Sequence, residues 1–433
     1  MLSLEQLTQG LHNGAFEAQL KKLYGASAPK HTQRLTGIAA RFAEHFSPDA
    51  QDIAAATRDV AVFSAPGRSE IGGNHTDHNR GKVLAAGVNL DILGVAAKCD
   101  ANRVRVKSVG YRANDVGLTV LTPVEAETGH SNAMIRGICA GFAQRGHAIG
   151  GFDAATASDV LGGSGLSSSA AFGVLIATIL SHFYNDAAIP PLELAQIVQY
   201  AENEFVGKPC GLMDQTASAV GGFVAIDFED TAHPVVVKLD FDFAASGHAL
   251  CIVNTGGSHA DLTDDYAAVR REMESVAQAL GAEVLRETSQ DALLANLPAV
   301  RAQCGDRAVL RALHYFAEND RVDAQAATLR RGDFAAFLSL VKDSGRSSFM
   351  YNQNVYSGEM TRDQPVSLGL ALSESLLSGH GAWRVHGGGF AGTIQAFVPL
   401  NLLDGYRDAM EAVFGPGCCY ILNVRPQGGV LVI

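Results

Sequence analysis

The stretch Gly162-Gly163-Ser164-Gly165-Leu166-Ser167-Ser168-Ser169-Ala170-Ala171 sets glycines ahead of three hydroxyls, and an apolar run from Phe172 to Phe183 follows. Glycines let a backbone approach a ligand closely. Loop amides and the positive end of a following helix make an anion site. Phosphate suits such a site, and the serines suit a phosphate or its Mg²⁺. The loop is not a Walker A sequence, because no Gly-Lys-Ser/Thr closes it. It is not a dinucleotide fingerprint either, because Ser168 stands where the third glycine belongs. A flexible linker is the plain alternative, and direct entry into an apolar helix argues against it.

Three further groupings carry polar chemistry. Gly67-Arg68-Ser69-Glu70-Ile71-Gly72-Gly73-Asn74-His75-Thr76-Asp77-His78 holds five ionisable side chains in a glycine-rich turn between apparent strands. A polyol ligand would use that density of donors and acceptors, which an apolar core tolerates badly. A solvated loop is the bland reading. A metal site is the sharp rival, since His75-Thr76-Asp77-His78 nearly completes a His-x-His-x-Asp-His run, but Gly73 replaces the first histidine. The second grouping, Glu202 to Gln215, offers Glu202 near a helix end and Asp214 just past a Gly-Lys-Pro turn. One carboxylate suits Mg²⁺ and the other a proton; capping is the structural alternative for Asp214. The third, Arg384-Val385-His386-Gly387-Gly388-Gly389-Phe390-Ala391-Gly392, permits close backbone approach, to a ligand or to another segment.

The elements that must position these groups follow from periodicity. Residues 1–58 read as amphipathic helix, with Phe16, Leu20, Leu23 and then Leu35, Ile38, Ala39, Phe42 at helical spacing. This predicts a packing extension without chemistry. Strands are expected from Val60, over Val83–Asn89, Ile92–Ala97, Val104–Ser108, Phe152–Ser158, and around 223–228 and 235–239. Helices are expected over Asn132–Gln144, Phe172–Phe183 and Leu192–Phe205. A second series follows: strands at Ala249–Asn254, Ala382–Val385, Gly392–Val398 and Gly417–Arg425, and helices over Asp265–Leu280, Leu310–Arg331 and Phe334–Met350. The chain thus divides into an extension (1–58), an α+β domain (59–240) and a second α+β domain (241–433).

Bulk properties exclude several functions. The net charge of -12 with no basic stripe argues against nucleic acid. There is no run of eighteen apolar residues to cross a membrane, and the start Met1-Leu-Ser-Leu-Glu does not read as a signal peptide. Seven scattered cysteines without metal spacing predict reduced thiols and a cytoplasmic location.

Taken in order, the motifs resemble those of the GHMP kinases, and within them the galactokinase branch. Gly67–Asp77 resembles the signature Gly-Arg-Val-Asn-Leu-Ile-Gly-Glu-His-Thr-Asp. Gly163–Ala171 resembles the family's phosphate loop, Gly211-Leu212-Met213-Asp214-Gln215 its catalytic segment, and His386–Gly392 its third motif. The similarity runs from about Phe63 to Pro399. It implies an N-terminal ribosomal-protein-S5-like domain and a C-terminal ferredoxin-like domain with the site between them. It implies transfer of a phosphoryl group from ATP, with Mg²⁺, to the anomeric hydroxyl of a sugar, galactose first. Asp214 would be the base and Arg68 the transition-state stabiliser. Ser169 and Glu202 would hold Mg²⁺. Gly163, Ser164, Gly165, Leu166, Ser167, Ser168 and Ser169 would cradle phosphates. Asn74, His75, Thr76, Asp77, Gly211 and Tyr266 would meet the sugar. The chain departs from the family pattern at Asn74 (family Glu), Glu70 (family Asn) and His78 (family Tyr). A kinase for a related sugar such as an N-acetylhexosamine, or a non-catalytic sugar sensor, therefore stand as alternatives.

Overall fold

Strand periodicity governs residues 59–98, and the hairpin made by Asp59–Gly72 and Lys82–Lys98 is the frame of the first domain. The structure is a computed structural model describing residues 1–46, 58–160, 165–257, 262–358 and 362–433. The predicted phosphate-loop residues Gly163 and Ser164 lie outside the described residues. Lys82–Lys98 is one long strand rather than the two expected. Its first half pairs with Phe223–Asp227 and its second with Phe152–Ser158, so two branches of sheet grow from one strand. Val235–Leu239 extends the first branch. Arg103–Ser108, in parallel pairing, and Asn114–Gly117 extend the second.

Alternate side chains of the hairpin face two cores. Ala61, Phe63 and Ala65 pack with Leu175, Ile179 and Leu180 of the helix Ser168–Tyr184. Val60, Val62, Leu93 and Val95 pack with Leu35, Ile38 and Phe42 of the helix Ala28–Phe46. The N-terminal helices Leu4–Asn13, Glu17–Tyr24 and Ala28–Phe46 thus cover a sheet face that would otherwise be wet. Burying a side chain like Phe42 there stabilises by about 1.5–3 kcal/mol.

The second domain is a four-stranded antiparallel sheet in the order Ala382–Val385, Gly392–Pro399, His248–Gly256, Cys419–Leu422. The helices Phe334–Ser347, Pro365–Leu377 and Leu403–Phe414 pack on it. The chain then crosses back: Val430 and Leu431 pair with Ser64 and Phe63. Residues after about 423 therefore serve the first sheet, which differs from a boundary that runs to 433. The helix Asp306–Arg330 packs against Lys82–Lys98 and forms the seam between the two domains.

Candidate active site

The strand Asp59–Gly72 carries Arg68 just past a bulge at Gly67. A side chain at Gly67 would stand 2.8 Å from the carbonyl of Leu166, so glycine is what lets the phosphate loop lie against this strand. Arg68 N then donates to that same carbonyl at 3.1 Å. The loop turns at Gly165 (φ 72°) and Ser167 (φ 59°) into the apolar helix Ser168–Tyr184. The first amides of that helix have no partner within it and are free for an anion.

Asp214 lies in the first turn of the helix Met213–Val220. Arg68 grips it with two hydrogen bonds, Nε to Oδ1 and Nη2 to Oδ2, each 2.6 Å. Ser167 Oγ also donates to Oδ2, and Arg68 Nη1 donates to the Gly165 carbonyl. Burial alone would raise the Asp214 pKa. The Arg68 charge and hydrogen bonds, with that of Ser167, outweigh it and hold the carboxyl below the ordinary value. Three segments distant in sequence therefore converge on one carboxylate.

Glu202 sits where the helix Pro191–Ala201 widens into a π-turn, Glu202–Val206. It is 1% exposed. Gln215 Nε2 and Cys210 Sγ donate to its Oε2, while among the described residues Oε1 has only the exposed Lys208 ammonium at 3.9 Å. Burial first, and the Glu202 charge second, push the Cys210 thiol up to about 12. Ser169 opens the helix that packs on Glu202's own helix.

The polyol-like turn divides. Asp77 faces Gly211: a side chain there would stand 2.9 Å from Asp77 Oδ2. Burial raises the Asp77 pKa; His75 opposes this and the Asp214 charge adds to it. His75, held at φ 59°, donates from Nε2–H to the Gly388 carbonyl at 2.9 Å. Tyr266 OH donates to the Gly389 carbonyl at 2.7 Å, so the third glycine motif abuts both. Asn74 and Thr76 correct the expectation for them. Both are 0% exposed. Asn74 Nδ2 donates to Glu70 and to the Gly387 carbonyl, and its Oδ1 accepts from Ser348 and Asn354. An amide has four such positions and all are used, leaving none for a sugar. Thr76 Oγ1 is spent on the Gly73 and Lys82 carbonyls.

Several buried groups that hold this turn were missed in the sequence. Glu318 accepts from the amides of Gly73 and Asn74 at 3.1 and 3.4 Å, His314 Nε2 donates to the Asn74 carbonyl, and Asn319 accepts from the Lys82 amide. The signal was present: three polar residues at 314, 318 and 319 among the inward-facing apolar positions of an amphipathic helix. Arg384, 0% exposed, crosses the domain seam to Glu70 at 2.7 Å. Among the described residues no group of three or more His, Cys, Asp or Glu side chains is arranged to hold a metal.

Comparisons with known proteins bear on the family and the fold. Residues 133–222 match the model of the GHMP kinases N terminal domain, and residues 40–98 match the galactokinase galactose-binding signature. A curated galactokinase of Streptomyces coelicolor is 32% identical over 355 residues, covering 82% of this chain and 88% of that protein. The chain belongs to the galactokinase family. The fold of this galactokinase-family protein is also that of solved relatives. The galactokinase of Lactococcus lactis, solved with galactose, aligns at TM-score 0.74 over 92% of this chain and 99% of that one, at 23% identity. The mevalonate kinase of Methanococcus jannaschii aligns at TM-score 0.60 over 84% and 98%, at 12% identity. The family thus accounts for a two-domain GHMP kinase fold in a sugar kinase. Among the described residues no helix is long and apolar enough to cross a membrane.

Proposed function

We propose that this protein transfers the γ-phosphoryl group of ATP to the anomeric hydroxyl of galactose. The observation that carries the reading is the Arg68–Asp214 pair, joined by Ser167 and Gly165 of the phosphate loop. A sugar hydroxyl laid against Asp214 would lie beside that loop, with Asp77 and His75 lining the way to it. Asp214 is a weak base because Arg68 keeps it ionised. That suits phosphoryl transfer, whose loose transition state depends on positioning and charge neutralisation. The carboxylate orients the hydroxyl and takes its proton late. Arg68, beside the transferred group, offsets the charge on its equatorial oxygens.

Mg²⁺ fits the residues present. Oxygen donors suit a hard cation, and Glu202 keeps one carboxylate oxygen with only a surface lysine near it. Glu202 and the hydroxyl of Ser169 would hold the ion, which neutralises phosphate charge when bound. The seven unpaired cysteines suit a reducing cytoplasm. A related sugar is the second reading, favoured by the withdrawal of Asn74 into the protein interior.

Incubation of the protein with ATP, Mg²⁺ and single sugars tests this by ADP release and by identifying the product. Galactose 1-phosphate is expected. Tight sugar binding without ADP would mean a sensor and would overturn the proposal, as would phosphorylation at any other hydroxyl.

A further inference from the structure

We infer that Gln215 is a positioning residue for Glu202: it fixes one carboxylate oxygen so that the other stays available to the Mg²⁺ of MgATP. This rests on the reading above in which Glu202 holds that ion. Both side-chain donors to Glu202, Gln215 Nε2 and Cys210 Sγ, fall on the same oxygen, Oε2. Among the described residues Oε1 is left with the exposed Lys208 ammonium at 3.9 Å. The two oxygens of a carboxylate are chemically equivalent, so donors gathered on one of them set its orientation. Groups behind a metal ligand commonly act in this way.

Gln215 is buried, and its Nε2 also reaches Cys210 Sγ at 3.3 Å. Cys210 is held in turn. Its amide donates to Asn203 Oδ1 at 2.8 Å, and Gln199 Nε2 donates to its carbonyl at 3.1 Å. The thiol is therefore placed by the helix Pro191–Ala201 and the π-turn after it, the segment that carries Glu202 itself. Gln215 Oε1, by contrast, is buried with no hydrogen-bond partner among the described residues. An orphaned buried oxygen is costly. An apolar side chain of the same length would fill the space without that cost, so the position is explained by what Nε2 does. The placement also ties two parts of the site together. Asp214 and Gln215 are consecutive in the first turn of the helix Met213–Val220. Adjoining residues of one turn thus set Asp214 against Arg68 and Gln215 against Glu202.

The test is binding, read without turnover. A non-hydrolysable ATP analogue is titrated into the full chain by calorimetry, once with Mg²⁺ and once with EDTA. The ratio of the two affinities is the advantage that the metal gives. Gln215→Met keeps the length of the side chain and removes its donor. It should cut the ratio by about tenfold, with metal-free affinity and the KM for galactose within about twofold of wild type. Gln215→Asn keeps the amide but draws it back by one methylene, so it should lower the ratio too, and it serves if the methionine variant does not fold. A merely structural role would weaken the analogue equally with and without metal. That result, or a wild-type ratio in both variants, overturns the inference. Glu202→Gln separates it from the metal reading. If Glu202→Gln abolishes the ratio and the Gln215 variants leave it intact, Glu202 holds the ion unaided and only this inference falls. If Glu202→Gln leaves the ratio intact, the metal reading falls and takes the inference with it.

Discussion

Asp91 and Asp214 are held by the same chemistry and differ in what surrounds it. Each accepts from arginine and from a serine hydroxyl, and burial pushes each carboxyl up while arginine brings it below its ordinary pKa. Asp91 lies mid-strand under the N-terminal helices. It accepts from Arg34 at 2.5 Å, Arg425 at 3.0 Å, Tyr24 at 2.6 Å and Ser64. Its side chain is fully sealed, whereas that of Asp214 is 26% exposed and has a single arginine. The four partners of Asp91 come from the N-terminal helices, the first strand and the C-terminal return, so the carboxylate ties three parts of the chain together. Asp214 keeps an open side, and it faces a loop with free amides. An aspartate–arginine pair is thus a staple when closed, and when open it has the exposure that the proposed function asks of a reaction centre.

Replacing each carboxylate by its amide separates the two roles. Asp214→Asn should lower kcat by about a thousandfold, the usual scale for a positioned base, and leave sugar affinity and thermal unfolding nearly unchanged. Asp91→Asn should do the reverse. Two buried guanidiniums would lose their counter-charge, at about 3–5 kcal/mol, while kcat of the folded fraction stays as it is. Denaturant unfolding and steady-state kinetics on both variants check this. Retained turnover in Asp214→Asn, or wild-type stability in Asp91→Asn, would dissolve the distinction.

The same contrast explains what the sequence made legible. Glycine and hydroxyl runs advertise themselves, because few buried structures need them together. The converging residues Arg68, Ser167 and Asp214 could all be named in advance. The strand Lys82–Lys98 was split in two because Leu90-Asp91 looks like a break. Only partners 57 and 334 positions away make a buried aspartate tolerable there. Asn74 was misplaced for the same reason, since two of its side-chain partners lie 274 and 280 positions on. The helix Pro365–Leu377 escaped notice because Leu368, Leu370 and Leu372 alternate with strand period, although proline opens it as a helix.

A middle-sized effect lies behind the open pair. Gln395 Nε2 donates to Ser69 Oγ, which lies 3.1 Å from His386 Nε2, and His386 Nδ1 lies 3.0 Å from Thr393 Oγ1, so two hydroxyls, each able to donate or accept, satisfy an uncharged ring. The ring is therefore neutral. Burial brings it down to about 3, with Arg68 and then Arg384 adding to this and Asp214 opposing. A base depressed on folding contributes stability above its unfolded pKa of about 6.5 and loses it as pH falls toward 3. At pH 5 the loss is about 2 kcal/mol. His386→Gln should narrow its stability gap to wild type by that amount between pH 7 and pH 5, read from denaturant midpoints at each pH. A gap independent of pH would mean that folding leaves the ring's pKa where it is in the unfolded chain.

The smallest effect uses the two serines. Ser64 donates to Asp91 and accepts from Arg425 at 2.7 Å in a sealed space. Ser64→Ala strands both groups, and the cost should be about 1–3 kcal/mol of stability. Ser167→Ala removes one donor from a carboxylate that solvent reaches and that Arg68 still grips with two bonds. Water takes the vacated position, so stability should move by less than about 0.5 kcal/mol. Loss of that hydrogen bond should instead lift the Asp214 pKa, since Ser167 is among the groups that lower it. The acid limb of kcat at saturating ATP should therefore shift to higher pH while the plateau near neutrality falls by less than about tenfold. If Ser167→Ala destabilised the fold as much as Ser64→Ala, the Asp214 carboxylate would be as closed as Asp91, and its role would be that of a staple.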